Sequence, residues 1–180
     1  MTIRITTQEV LTKIQQILKT KHVCAKTANK GGAGLFLEQL LGIPQTSACC
    51  DMIDGELKLF PLNNKGKAKE SCAITMVDKN MKTTKFEDSR VFKKLENTLF
   101  VAYERHDDSI CFTQVIHFTK EHEYFEQIKK DYETIQEKSL SSSVGTYLQT
   151  RTKGAGHGSK SRAFYLRASF MNKLLVKQRI

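Results

Sequence analysis

The chain has 180 residues, 39% of them hydrophobic, which is enough to bury one core in a single domain, with two lobes at most, and too little for two small independent domains. No run approaches the roughly 18 consecutive apolar residues of a membrane span, and MTIRITTQEVLTKIQQ has no apolar signal-peptide core, so a soluble, cytoplasmic protein without a membrane partner is expected. Cys24, Cys49, Cys50, Cys72 and Cys111 are odd in number and form no C-x-x-C pair, which argues against a disulfide framework and against a zinc site.

The net charge of +10 is placed at one end: no acidic residue follows Glu137, whereas Lys138, Arg151, Lys153, Lys160, Arg162, Arg167, Lys173, Lys177 and Arg179 do. Apolar residues such as Tyr147, Leu148, Phe164, Leu166, Phe170 and Leu174 are interleaved with these cations. The pattern predicts a folded basic surface for a polyanion, with nucleic acid preferred to an anionic membrane because no strongly basic amphipathic helix is present.

In chain order, T-T-Q-E from Thr6 fits a capping box, and Val10, Ile14, Ile17 and Leu18 recur at helical spacing behind it. KTANKGGAG reads as a loop. It is no phosphate-binding loop, since no Gly-Lys-Ser/Thr follows and no strand precedes it; close helix packing is the expected use of its glycines. GLFLEQLLG predicts a short helix ended by Gly42 and stopped by Pro44, with Leu37, Leu40 and Leu41 buried. From Cys49 the pattern turns to strands: a short one, an Asp54-Gly55 turn, ELKLF, then CAITMV, TLFVAY and CFTQVIHF. FEDSRVFKKLE is a short helix or a loop. Thr119 opens a helix with Tyr124, Phe125, Ile128, Tyr132 and Ile135 on one face; SLSSSVG is a flexible connector, and YLQTRTK, GAGHGSKSR and AFYLR give two strands around a basic loop. The fold class is α/β with a mixed sheet.

The chemistry gathers at CCDMIDGELKLFPL. Phosphodiester hydrolysis draws on divalent cations that activate water and neutralise charge, and such ions take carboxylate oxygens. Glu56 and Lys58, two apart on a strand, leave the same face, and a hairpin reversal at Asp54-Gly55 would return Asp51 to Glu56. Glu56 is the only glutamate that starts a Glu-x-Lys, although about one is expected by chance, so spacing alone does not make a nuclease centre.

Four stretches, NKGGAGLFLEQLLGI, CDMIDGELKLFPL, SRVFKKLENTLFVAYE and TYLQTRTKGAG...SRAFYLRASFMNKLL, taken in this order, resemble the family of the mismatch-repair nicking endonuclease MutH and the type II restriction endonucleases that cut at GATC. The resemblance implies a restriction-endonuclease-like mixed sheet flanked by helices, with two lobes around a DNA cleft: a catalytic lobe over 1–138 and a basic DNA-reading lobe over 144–180 of one domain, 1–180. It implies Asp51, Glu56 and Lys58 as the catalytic triad, the carboxylates binding Mg²⁺ (with Mn²⁺ able to substitute) and Lys58 assisting the attacking water. Glu38 is implied as a further acid at the metal and Lys94 as a lysine near the scissile phosphate. Arg90 and Lys93 are implied as phosphate contacts, Arg151, Lys153, Arg162 and Arg167 as DNA contacts, and Tyr165 as the side chain approaching adenine. The Asp51–Glu56 spacing is shorter than in the family, which leaves Asp51 and Asp54 both open for the metal position. The expected activity is Mg²⁺-dependent cleavage of double-stranded DNA at GATC, as a restriction enzyme in preference to a repair nickase, with dimerisation on DNA left open. A binding module that has lost catalysis is the alternative from another class.

Overall fold

Residues 97–106 form a strand that is covered on both faces, and this sets the layers of the computed structural model, which describes residues 4–24, 31–138, 144–154 and 160–177. Leu99 and Val101 face a cluster with Val10, Ile14, Leu37, Leu41 and Leu57, while Phe100 and Ala102 face a second cluster with Phe60, Phe118, Ile128, Tyr132, Phe164 and Phe170. A strand buried on both sides reads as an unbroken apolar run, as TLFVA does.

The elements are α1 (Thr7–Ile17), β1 (Lys21–Val23), α2 (Gly32–Leu41), β2 (Glu56–Pro61), β3 (Cys72–Met76), a 3₁₀ turn (Phe86–Asp88), α3 (Arg90–Leu95), β4 (Asn97–His106), β5 (Ser109–Thr119), α4 (Phe125–Glu137), β6 (Leu148–Thr152), β7 (Arg162–Leu166) and α5 (Ala168–Lys177). The first sheet has the order β1-β5-β4-β2 and is mixed: β2 runs parallel to β4, with Glu56 opposite Thr98, and the other pairs are antiparallel. The second, β3-β7-β6, is antiparallel. The expected α/β class with a mixed sheet is present. The lobe boundary expected at 138–144 falls between α4 and β6, and the second sheet takes β3 from before it.

The expected capping box starts α1: Thr6 Oγ1 accepts from the Glu9 N–H at 3.3 Å and Glu9 Oε2 from the Thr6 N–H at 2.8 Å. Gly42, at φ 71°, closes α2 as expected, since only a residue tolerant of the left-handed region ends a helix this way without strain.

Several expectations are corrected. Leu40 is 42% exposed, because the buried stripe of α2 is Ala33, Leu37 and Leu41 at fourfold spacing and Leu40 lies off it. Thr119 does not open a helix: it is the last residue of β5, paired with Asn97, and α4 begins at Phe125 after a turn. The buried face of α4, with Phe125, Ile128, Tyr132 and Ile135, is as expected. The short strand expected between Cys49 and Asp54-Gly55 is absent: Cys49–Asp54 is a series of bends. β1 and α5 were not anticipated, although Phe170, Met171, Leu174 and Leu175, all buried, carry a helical period. Most of the SLSSSVG and GAGHGSKSR stretches lies outside the described residues.

β6 is fixed by one buried carboxylate. Asp131 on α4 accepts from the N–H groups of Thr146, Tyr147 and Leu148 at 2.9, 2.6 and 2.8 Å and from Gln127 Nε2 at 2.9 Å. Charged acceptors of backbone N–H groups are among the stronger hydrogen bonds in a fold, and removing one leaves several buried donors unmet. Asp131→Ala is therefore expected to lower the free energy of unfolding by about 3 kcal/mol in a urea titration. Glu87→Ala, which breaks the exposed pair with Lys129 at 2.6 Å, is expected to leave the midpoint almost unmoved.

Candidate active site

The centre of the site is the first residue of β2, the edge strand of the mixed sheet. Glu56, Lys58 and Phe60 share one face of this strand; Phe60 anchors it in the core, and Glu56 is 1% exposed. Glu56 Oε1 meets Lys58 Nζ at 2.5 Å and Lys94 Nζ, from the last turn of α3, at 2.6 Å. An unpaired buried carboxylate would be costly, and two ammonium groups on one oxygen offset that cost.

The other oxygen faces the bend. Glu56 Oε2 accepts from the Asp51 N–H at 3.3 Å, and Asp51 Oδ2 accepts from the Leu57 N–H at 3.2 Å. Asp51 is thus returned to Glu56 as the sequence suggested, through bends closed by the Met52 N–H donating to the Gly55 carbonyl at 2.9 Å and fastened from outside, but without the paired strands of a hairpin. Arg4 donates to the carbonyls of Cys50, at 2.6 Å, and Met52, bracketing Asp51. The Cys50 thiol donates to the Lys93 carbonyl at 3.4 Å; burial, then the Glu56 charge, pushes this thiol up to about 11, so it stays a donor. Asp54 turns away: its Oδ1 accepts from the N–H and hydroxyl of Thr7 at 2.7 and 2.8 Å, and Asn97 Nδ2 donates to its carbonyl at 2.6 Å. Gly55 is required where these meet, since a Cβ there would lie 2.5 Å from Thr7 Oγ1 and 2.7 Å from the Asn97 carbonyl oxygen. Asp54 is occupied in holding α1, and the carboxylate beside Glu56 is Asp51.

The charges feel one another. Burial, then Glu56, raises the Asp51 pKa; burial, then Asp51, raises that of Glu38 on α2. For Lys58, burial acts to lower the pKa, but the Glu56 and Asp51 charges and the Glu56 hydrogen bond outweigh it, and the net shift is upward: Lys58 is held as an ammonium. Among the described residues no group of three or more His, Cys, Asp or Glu side chains is close enough to hold an ion together. Mg²⁺, however, is commonly held by one or two carboxylates with water and substrate phosphate completing its shell, and the adjacent, oxygen-only pair of Asp51 and Glu56 suits that role.

A cavity of about 480 Å³ lined by Glu38, Asp51, Lys58, Glu70 and Tyr103 opens over this centre. Gly34 also lines it, and a Cβ there would meet nothing within 4 Å, so close packing does not explain this glycine. A second cavity of about 800 Å³ shares the wall formed by Gly31, Leu59, Pro61 and Glu70 and is lined on its far side by Arg151, Lys153 and Tyr165. Strand pleating sorts the expected DNA contacts here. Arg151 on β6 and Tyr165, opposite Gln149 on β7, leave the same face, and Lys153, one residue past the end of β6, lines the same cavity. Arg162, opposite Thr152, points to the other side, donating to the Thr150 carbonyl at 3.1 Å and to Thr152 Oγ1 at 3.3 Å. Arg167 Nε donates to the Gly145 carbonyl at 3.0 Å. Neither arginine lines the cavities; both secure the sheet. Arg90 and Lys93 are exposed on α3, Arg90 one turn before Lys94 and 3.7 Å from Asp78.

Sequence reasoning passed over Glu70 and Ser71 at the cleft wall, and Arg4, Thr7 and Asn97 behind the bend. An acid amid lysines at a strand start gives no signal, and the three anchors act through contacts distant in sequence.

No curated protein sequence matches the chain. Among solved structures, the complex of restriction endonuclease MvaI with its cognate DNA substrate is similar over 93% of this chain and 92% of that one, at 12% identity and a TM-score of 0.47. The family profile described as DNA mismatch repair enzyme MutH matches residues 46–138, just over half of the 180 residues. That span contains Asp51, Glu56, Lys58, Arg90, Lys93 and Lys94, and leaves Glu38 and the β6–β7 contacts outside it. With its acidic pair and both site lysines inside the matched span, the chain belongs to the MutH family of DNA endonucleases.

Proposed function

We propose that this protein is a Mg²⁺-dependent endonuclease that hydrolyses phosphodiester bonds of double-stranded DNA at GATC, acting as a restriction enzyme in the cytoplasm. The observation that carries the reading is the adjacency of two carboxylates and two ammonium groups, Asp51, Glu56, Lys58 and Lys94, at the floor of a cleft whose opposite wall is basic. Family membership supports the cleavage chemistry.

Asp51 and Glu56 would hold the cation, with Glu38 completing the acidic side; Mn²⁺ would substitute. When bound, the cation supplies Lewis acidity and neutralises charge on the attacking and leaving oxygens. The chain's own part is positioning. Lys58, held as an ammonium, orients the attacking water and stabilises charge developing on the phosphoryl oxygens, and Lys94 approaches the same group from α3. Arg90 and Lys93 set the backbone register without reading sequence. The strands over 144–180 act as the reading lobe: Arg151 and Lys153 suit guanine edges, and Tyr165 packs where the adenine N6 amino group, or a methyl on it, would be felt. Arg162 and Arg167 keep that surface in shape.

The family description as a mismatch-repair enzyme favours a second reading, single-strand nicking. Supercoiled plasmid with defined GATC sites, incubated with the protein and Mg²⁺, is expected to yield fragments ending at those sites, whereas accumulation of open circles assigns nicking; random or absent scission by folded protein refutes both. Unmethylated, hemimethylated and fully N6-methylated duplexes, scored strand by strand, are expected to differ through Tyr165.

Asp51→Asn and Glu56→Gln are expected to abolish detectable cleavage, and Lys58→Ala to slow it by about 10²- to 10³-fold. Asp54→Asn should lower stability and leave Mg²⁺-dependent cleavage measurable, which separates the two aspartates. Replacing Arg151 or Lys153 with Gln is expected to cost about 1 to 3 kcal/mol of GATC-duplex binding and to relax the preference for guanine, whereas Arg90→Gln or Lys93→Gln is expected to weaken binding to all duplexes and to reduce the salt slope by about one. Arg162→Gln is expected instead to lower the unfolding midpoint.

A further inference from the structure

Between β2 and β3 the chain forms a small closed turn that the site described above does not use. Asn63 Oδ1 accepts from the N–H groups of Lys65 and Lys67 at 2.9 and 3.1 Å. Asn63 N–H donates to the Lys67 carbonyl at 2.8 Å, Gly66 N–H to the Asn63 carbonyl at 2.9 Å, and Lys69 N–H to the Pro61 carbonyl at 2.9 Å. Ala68, buried and bridged to Leu62, donates its N–H to Asn172 Oδ1 of α5 at 2.8 Å, which ties the turn to the body of the fold. The backbone is therefore held at both ends and across the middle.

What it holds out is charge. Lys65, Lys67 and Lys69 are all exposed, the even position Ala68 alone points inward, and among the described residues none of the three lysines makes an ion pair. Three like charges fixed on one short turn repel one another and gain nothing from the fold, whereas a flexible loop would let them separate. Rigidity is useful when the partner is itself a regular array of negative charge. The other exposed residue at the tip is Asn64, and a tip without large apolar side chains has nothing to insert into a bilayer. Directly after Lys69, Glu70 and Ser71 line the cleft, so the turn stands at the cleft's rim.

From these observations we infer that the Asn63–Lys69 turn is a second DNA contact, gripping the phosphate backbone of duplex DNA outside the recognition sequence. The inference rests on the DNA reading of the cleft. β2 separates the turn from Glu56: Glu56 to Pro61 at about 3.3 Å per residue spans about 17 Å. With β2 laid along the duplex, that is roughly five base-pair steps at 3.4 Å each, outside a four-base site wherever in it the reacting phosphate lies. The turn thus adds affinity and register without adding sequence information.

The test compares the full chain with its K65Q/K67Q/K69Q variant by measuring duplex affinity against salt, with Ca²⁺ in place of Mg²⁺ to hold back cleavage. On a duplex of about 30 base pairs with a central GATC, the variant's slope of log affinity against log salt is expected to be shallower than the wild-type slope by about one to three, near 0.9 per lost contact. On a duplex trimmed to about three base pairs either side of GATC, the wild-type slope is expected to fall to the variant's value. Equal slopes for the two proteins on the long duplex, with the variant's unfolding midpoint unchanged, overturn the inference and leave the cleft reading standing. K67E provides a second readout: charge reversal should weaken long-duplex binding further than loss of charge, and no difference from wild type counts against the turn. Wild-type protein that binds no duplex at any salt refutes the DNA reading, and this inference with it.

Discussion

The site depends on seating a carboxylate between two lysines where water scarcely reaches it. Glu56 is 1% exposed, and a lone charge so placed would destabilise the fold. Lys58 and Lys94 on its Oε1 prevent this, and because they come from β2 and α3, the interaction also fixes the strand against the helix. Only one oxygen is used in that way. The other is turned toward Asp51, so the pairing that stabilises Glu56 also leaves an acceptor facing the second carboxylate. Raised pKa values at Asp51 and Glu38 follow from the same crowding: burial first, neighbouring negative charge second. An acidic group gathered at such a cost is strained in the absence of positive charge and suited to receiving it.

Edge placement turns this cluster into a cleft. β2 has β4 on one side and no strand of its own sheet on the other. The second sheet, β3-β7-β6, then supplies the opposite wall. The pleat of β6 and β7 divides their side chains between two tasks: Arg151 and Tyr165 to the cleft, where Lys153 joins them from just past β6, and Arg162 to the strand backbone. Composition assigned these cations to one surface because charge counts carry no information about which face a side chain leaves.

What could be read in the sequence was local and periodic. The capping box at Thr6, the left-handed end of α2 at Gly42, the apolar run of β4 and the Phe125–Ile128–Tyr132–Ile135 stripe all follow from interactions within a few residues, and each is present. Glu56 and Lys58 on one strand face were legible for the same reason. The misplaced features were settled elsewhere in the chain. Thr119 has the character of a helix start but is claimed by strand pairing with Asn97. Leu40 has the hydrophobicity of a core residue but lies off the stripe set by Ala33, Leu37 and Leu41.

The route by which Asp51 reaches Glu56 is the clearest case. Asp54-Gly55 is a strong local hairpin signal, and a hairpin would have put Asp51 in strand register with Glu56. The chain uses the dipeptide differently: Asp54 holds the start of α1 through Thr7, Gly55 admits Thr7 and Asn97 to a distance no side chain would allow, and Arg4 fastens the carbonyls on either side of Asp51. A bend held at several points from outside does not need a fixed number of residues between its ends, as a paired hairpin does. The short spacing from Asp51 to Glu56 is therefore compatible with close carboxylates, because the separation is set by a bend closed from Met52 to Gly55 and anchored by Arg4, Thr7 and Asn97, and not by the strand repeat. Those three residues belong to the site as much as the acids do, even though none of them faces the cleft.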